Sequence, residues 1–273
     1  EHHILISLCE GLTIANPDGG PNLPGVAESW TISDDGKEYI FYLNKNAKWS
    51  NGEIMTADDF VWSWMRILTA SLGSQYPDML YYLEGAEEYH TGQITDFSEV
   101  GIKAIDDHTL KVNLKSPTPF FLGLLSHYST WPVHKETVLK HGSIDDRTGQ
   151  WTRPGNFVCN GPFQLKSWEL NKKIVVEKNP HYWDAETVKL NEMHFYPVSN
   201  VMTEDRMFRA GQLHLTSTLP SQKCPVYIKE NNPDLRIDPY MGQYFYRLNI
   251  NNPYLTDVKV RKALAYSINR KLL

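Results

Sequence analysis

The sequence predicts an α/β or α+β fold with mixed sheets, and three observations carry that expectation. Hairpin patterns recur at residues 30–43, 100–114 and 162–178. Capped amphipathic helices begin after Thr56 and Asp257. Strand and helix patterns then alternate through residues 190–216.

The elements follow in order. Residues 4–9 are apolar and end at Glu10-Gly11, which reads as a helix closed by a glycine C-cap. The chain is therefore expected to open inside a helix whose beginning is missing. Asp18-Gly19-Gly20-Pro21 is a turn. Residues 30–33 and 38–43 flank Asp34-Asp35-Gly36-Lys37, and Tyr39, Phe41 and Leu43 alternate with Ile40 and Tyr42. This is a hairpin with one buried face. Asn51-Gly52 permits positive φ in a tight turn. Thr56 is a good N-cap for Ala57-Asp58-Asp59-Phe60, whose acids suit the positive end of a helix. Phe60, Trp64 and Leu68 mark its buried stripe.

The second hairpin pairs residues 100–105 with 109–114 across Asp106-Asp107-His108. Pro117 and Pro119 break the chain before the apolar run 120–125. Residues 162–178 read as strand, turn and strand around Asn171-Lys172, and 190–196 as a strand. Residues 203–210 form a helix ended by Gly211, followed by a strand at 213–216. Residues 240–250 read as a long aromatic strand, and Asp257 caps a last helix over 258–270. The chain stops at Leu272-Leu273 with no closing element, so the polypeptide is expected to continue.

Composition narrows the function classes. The 273 residues are enough for one large domain or two ordinary ones, at roughly 100–200 residues each. With 41% hydrophobic and 22% charged residues, the chain fits a globular protein rather than a disordered one. A net charge of −5 and the lack of a long basic run give nucleic-acid binding no support. No stretch approaches the roughly 18 apolar residues of a membrane span. Glu1-His2-His3-Ile4 is not a secretory signal. Cys9, Cys159 and Cys224 supply neither a disulfide framework nor a zinc signature; unpaired or buried thiols are the expectation, with one bridge still open.

Chemical motifs are missing. Ten histidines include no His-Glu-x-x-His and no finger spacing, so no metal ligands are assigned. His134 and His141, seven residues apart, read as one solvated helix face. There is no nucleophile elbow and no phosphate loop. Acidic pairs such as Asp34-Asp35, Asp58-Asp59, Asp106-Asp107 and Asp145-Asp146 sit at turns and helix starts, where local hydrogen bonding explains them better than a glycosidase pair does. No catalytic residue and no cofactor is assigned, and the missing motifs argue against a hydrolase.

One set of blocks is more specific. Pro24-Gly25-Val26-Ala27-Glu28-Ser29-Trp30 is followed by Asp35-Gly36-Lys37-Glu38-Tyr39, by Ala47-Lys48-Trp49-Ser50-Asn51-Gly52-Glu53 and by Thr56-Ala57-Asp58-Asp59-Phe60. Further blocks are Gly101 to Leu110, Pro154 to Phe163, Asn179-Pro180-His181-Tyr182-Trp183 and Asp257 to Leu264. Together they resemble the family 5 extracellular solute-binding proteins of ABC importers, and the oligopeptide-binding branch most closely. On residues alone, Trp30, Tyr39, Phe41 and Trp49 read as a buried aromatic cluster, so the first block is mainly a folding signature.

The resemblance implies a type II periplasmic-binding-protein-like α/β fold, multi-lobed around a ligand cleft and here truncated. Residues 10–133 would form a small lobe, 1–9 and 134–239 part of the first main lobe, and 240–273 the incomplete start of the other. It implies a monomer at the periplasmic or extracytoplasmic face of a bacterial membrane. There it would bind short peptides and deliver them to an ABC transporter permease. Closure about a hinge would grip the peptide main chain, with water filling the side-chain pockets. Carried over by position, the ligand-binding residues are Tyr76, Tyr244, Tyr246 and Arg247. Arg247 departs from the family, where an acidic residue is common, and puts charge preference in doubt. Tyr76 reads equally well as a core tyrosine. Alternatives are another solute (nickel chelate, oligosaccharide or haem), a cleft hydrolase or a purely structural surface protein.

Overall fold

The computed structural model describes residues 2–238, 242 and 244–272. It divides into two units, Glu1–Pro197 and Val198–Leu273.

The first unit opens with α1 (His2–Leu8) and a short strand pair, β1 (Thr13–Ile14) with β2 (Leu23–Pro24). Gly11 is not a left-handed C-cap. A Cβ there would strike the Trp131 ring and lie 2.8 Å from the Leu125 carbonyl, so the glycine permits close approach. Next come β3 (Ala27–Ile32) and β4 (Glu38–Leu43), the first expected hairpin. Gly52 has φ 92°, as the Asn51-Gly52 turn requires.

Helix α2 (Ala57–Leu68) follows Thr56. The Asp59 carboxylate accepts the Thr56 N–H at 2.8 Å, satisfying a donor that the helix start would leave orphaned. After α3 (Ala86–His90), β5 (Ile102–Asp106) and β6 (Thr109–Asn113) form the second hairpin. The sheet order is β3-β4-β6-β5. Every strand pair among the described residues is antiparallel, because short turns join the hairpins; the parallel pairing that a mixed sheet needs is not among them.

Register brings Trp30 opposite Phe41 and Phe41 opposite Leu110. That face packs on Phe60, Trp64 and Leu68 of α2, all fully buried. Each such side chain contributes about 1.5–3 kcal/mol by burial. Trp64 Nε1 donates to the Thr130 carbonyl at 2.8 Å, so its polar edge is satisfied too. Trp30 is only half-buried and lies at the margin of the aromatic cluster.

Helices α4 (Phe121–Leu125) and α5 (Lys135–His141) lead to a three-stranded meander: β7 (Phe163–Glu169), β8 (Lys173–Lys178) and β9 (Glu192–Phe195). Asn171, at φ 57°, makes the β7–β8 turn. A second core joins Leu8, Cys159, Phe163 and Val176. Cys159 donates to the Phe163 carbonyl at 3.4 Å, and burial pushes its thiol up to about 11. All three cysteines are free.

His134 corrects the solvated-face expectation. It is buried as the N-cap of α5, its Nδ1 accepting the Thr137 N–H at 3.3 Å. Counting residues predicted a shared face for His134 and His141, but the helix begins only after His134.

Glu10 joins the two cores of this unit. Its N–H donates to Asn160 Oδ1 at 3.0 Å and its carbonyl accepts Asn160 Nδ2 at 2.8 Å. The Tyr182 hydroxyl and Trp183 Nε1, the latter at 3.1 Å, donate to its carboxyl. Burial raises that carboxyl to about 7, against the two hydrogen bonds.

The second unit holds α6 (Val201–Arg209), α7 (Cys224–Lys229) and α8 (Val258–Ser267). Asp205 is buried and ties α6 to α7 through Lys223 and, at 2.8 Å, the Tyr227 hydroxyl. Asp257 accepts the Lys259 N–H at 2.8 Å and caps α8, which ends three residues before the expected 270. The strand expected at 213–216 is not formed, and neither is a strand among residues 244–250. Among the described residues, no neighbouring strand pairs with either segment, and an extended backbone needs that pairing to become a strand. Tyr240, Met241 and Gln243 of the expected 240–250 strand lie outside the described residues.

Asn160→Ala removes both bonds to the Glu10 backbone and leaves two buried groups unpaired. A loss of about 2–4 kcal/mol is expected in denaturant unfolding. Glu10 sets a pH slope of defined sign. Its folded pKa lies above the unfolded value, so its contribution is fully present below about pH 4.5 and declines as pH rises through about 7. The decline is on the order of 3 kcal/mol. Glu10→Gln should flatten the melting-temperature profile between acid and neutral pH; an unchanged slope would assign it to other groups.

Candidate ligand-binding site

Tyr76 belongs to the first unit. It precedes a 3-10 turn, Pro77–Leu80, whose Leu80 is fully buried in the first core. That anchor fixes the turn while the tyrosine itself stays 37% exposed, so Tyr76 is not a core residue. Its ring stands edge-on to His127 at 5.3 Å and to Tyr128 at 6.0 Å. His127 and Tyr128 rings lie 4.1 Å apart, and His2 approaches Tyr128 at 5.8 Å. Burial, aided by His2 and opposed by Asp78, lowers the His127 pKa and favours the neutral ring. The result is a platform of four aromatic rings that can pack on apolar or planar groups, with the Tyr76 hydroxyl making no hydrogen bond among the described residues.

Tyr244, Tyr246 and Arg247 belong to the second unit. Tyr244 is 87% and Tyr246 71% exposed, with their rings 5.7 Å apart and nearly perpendicular. The Arg247 guanidinium lies over the Phe245 ring at 5.8 Å. These side chains offer two aromatic faces and one cation, in a segment that the aromatic alternation misassigned to a strand.

His2, His127 and Tyr128 were not anticipated. His2 reads as a surface residue at the start of the chain, and Ser126-His127-Tyr128 carries no periodic signal. Only proximity to Tyr76 distinguishes them. The acidic pairs behave as turn formers: Asp35 accepts from the Ser33 hydroxyl at 2.6 Å and the Lys37 N–H at 3.1 Å, and Asp106 accepts the His108 N–H at 2.8 Å. These bonds hold both carboxyls below their ordinary range.

Comparison with known proteins gives these features a context. The family model for "Bacterial extracellular solute-binding proteins, family 5 Middle" matches residues 23–273. The periplasmic oligopeptide-binding protein OppA of Escherichia coli is 38% identical over 276 aligned residues, covering 100% of this chain and 49% of that protein. The structure of Burkholderia pseudomallei OppA is 34% identical with a TM-score of 0.89, over 98% of this chain and 51% of that one. Haemophilus influenzae OppA, solved in complex with RPPGFSPFR, is 33% identical with a TM-score of 0.89, over 98% of this chain and 52% of its own. The chain thus spans about half the length of the relatives it matches. The chain therefore belongs to the bacterial extracellular solute-binding proteins of family 5.

Proposed function

We propose that the protein carrying this chain binds short peptides outside the cytoplasmic membrane and delivers them to the permease of an ABC importer. The observation that carries the reading is the exposed Tyr76 platform, mounted on a rigid core in a chain 33% identical to a protein solved in complex with RPPGFSPFR. The periplasmic designation of OppA from Escherichia coli supports the location.

Tyr76 supplies a ring to pack on and a free hydroxyl for a peptide main-chain group. Tyr244 and Tyr246 supply further aromatic contact, and Arg247 a planar cation suited to a carboxylate. Grip on the peptide backbone, with water in the side-chain pockets, yields affinity without strict sequence preference, because each water reorients for a different side chain. Residues 10–133 form the small lobe in this reading, in keeping with a first core drawn from residues 12–125. Residues 1–9 and 134–239 belong to one main lobe and 240–273 to the other. The protein acts as a monomer and carries out no chemistry on its ligand.

Calorimetry of the whole protein with tri- to pentapeptides of unrelated sequence should give saturable binding to all of them. Heat with nickel, sugar or haem and none with peptides would transfer the assignment to those solutes. Tyr76→Ala should weaken peptide binding about tenfold while the unfolding free energy changes by less than about 0.5 kcal/mol, as at an exposed position. A large stability loss with unchanged affinity would make Tyr76 a packing residue instead.

A further inference from the structure

We propose that Glu53, His134 and Glu136 form a binding site for a divalent transition-metal cation of the zinc type. None of the three is among the peptide-binding residues above, and no spacing in the sequence joins them. Glu53 follows the Asn51-Gly52 turn, which is closed by an isolated pairing of Lys48 with Ile54. His134 and Glu136 come from the start of α5, about eighty residues later.

The geometry converges on one point. His134 is only 3% exposed, yet its Nε2 faces two exposed carboxylates. It lies 2.6 Å from Glu53 Oε2 and 3.6 Å from Glu136 Oε2, and one ligand atom from each residue lies within 4.8 Å of the others. Zinc takes imidazole nitrogen and carboxylate oxygen at about 2.0–2.2 Å, which sets neighbouring ligand atoms about 3.3–3.6 Å apart around a tetrahedral ion. The Glu136 oxygen already stands at that separation. Glu53 has to draw back by about 1 Å to meet it, and its side chain, 60% exposed, is free to do so. Three protein ligands leave the fourth position to water.

The surroundings support the same reading. Trp49 stands edge-on to the His134 ring at 5.1 Å and fixes its plane. The Thr137 hydroxyl lies 2.8 Å from Nδ1. Without metal, the Thr137 N–H bonds to Nδ1, so Nε2 carries the ring proton and donates it to Glu53. A cation on Nε2 requires the other tautomer: the proton sits on Nδ1, the Thr137 N–H gives up its capping bond, and the Thr137 hydroxyl oxygen, 2.8 Å from Nδ1, accepts in its place, an outer-shell contact of the kind metal-bound histidines make. Asp59, held by Trp49 Nε1 at 3.3 Å, interacts electrostatically with both His134 and Glu136. Asp59 thus adds a third carboxylate to the electrostatic surroundings of the imidazole, beside Glu53 and Glu136. A ring nitrogen among the ligands favours zinc over calcium or magnesium, which take oxygen. The bound ion would clip the 51–54 turn to α5.

The whole protein, stripped with a chelator and titrated calorimetrically with ZnCl2 in peptide-free buffer, should bind one equivalent at this site. Glu53→Gln and Glu136→Gln alter exposed side chains, should fold normally, and should each weaken zinc binding at least about tenfold. His134→Gln should remove it, with circular dichroism checking the fold. Replacing His2 and His3 together by Ala should leave the site intact, which separates it from chelation by that exposed pair. Co2+ should show the visible absorption of a four-coordinate ion in the parent protein and lose it in Glu136→Gln. Absence of stoichiometric zinc binding, or binding unchanged in both glutamine variants, would overturn the proposal. Neither readout involves peptides, so this result and the peptide assignment stand or fall separately.

Discussion

The two cores of the first unit meet at a single buried carboxyl. Leu8 lies in the second core and Leu12 in the first, with Glu10 between them. Burying a carboxyl without a cationic partner is costly, and donors from Tyr182 and Trp183 offset part of the cost, while Asn160 satisfies the Glu10 backbone. The Gly161 N–H adds a bond of 2.9 Å to the Leu8 carbonyl. Residues 8–12 are thereby bound to residues 160–183, and the same segment holds Gly11 against Trp131.

The proposed binding surface at Tyr76 rests on the same packing. Tyr76 is exposed, but the turn it introduces is rooted through Leu80 in the core that holds Phe41, Phe60 and Trp64. Its ring partners meet it edge-on without hiding its face. A preformed surface loses little conformational freedom when a ligand arrives, so more of the contact energy remains as affinity.

What could be read from the sequence was what local physics decides. The hairpins at β3–β4, β5–β6 and β7–β8 follow from alternation and turn residues. The starts of α2 and α8 follow from Thr56 and Asp257. What failed depended on partners remote in the chain. Gly11 has the spacing of a C-cap, yet it is glycine because Trp131 lies against it. The 213–216 and 244–250 segments have strand composition, but composition cannot supply a neighbouring strand. His134 has helical spacing to His141, but its burial follows from Trp49, Thr137 and Glu53. Of the candidate site, the resemblance supplied Tyr76, and the aromatic sequence alone could not tell an exposed ring from a core one. His2, His127 and Tyr128 become visible only when the fold assembles them.

Burial of Cys159 has a consequence for the reactivity of the folded chain. Its sulfur is enclosed by the second core, and a thiol titrating near 11 is about one ten-thousandth ionised at neutral pH. The thiolate is the species that attacks disulfides and that oxidants consume. Cys9 is shifted the same way by burial. Both sulfurs are therefore poor nucleophiles toward disulfides and oxidants for as long as the first unit stays folded.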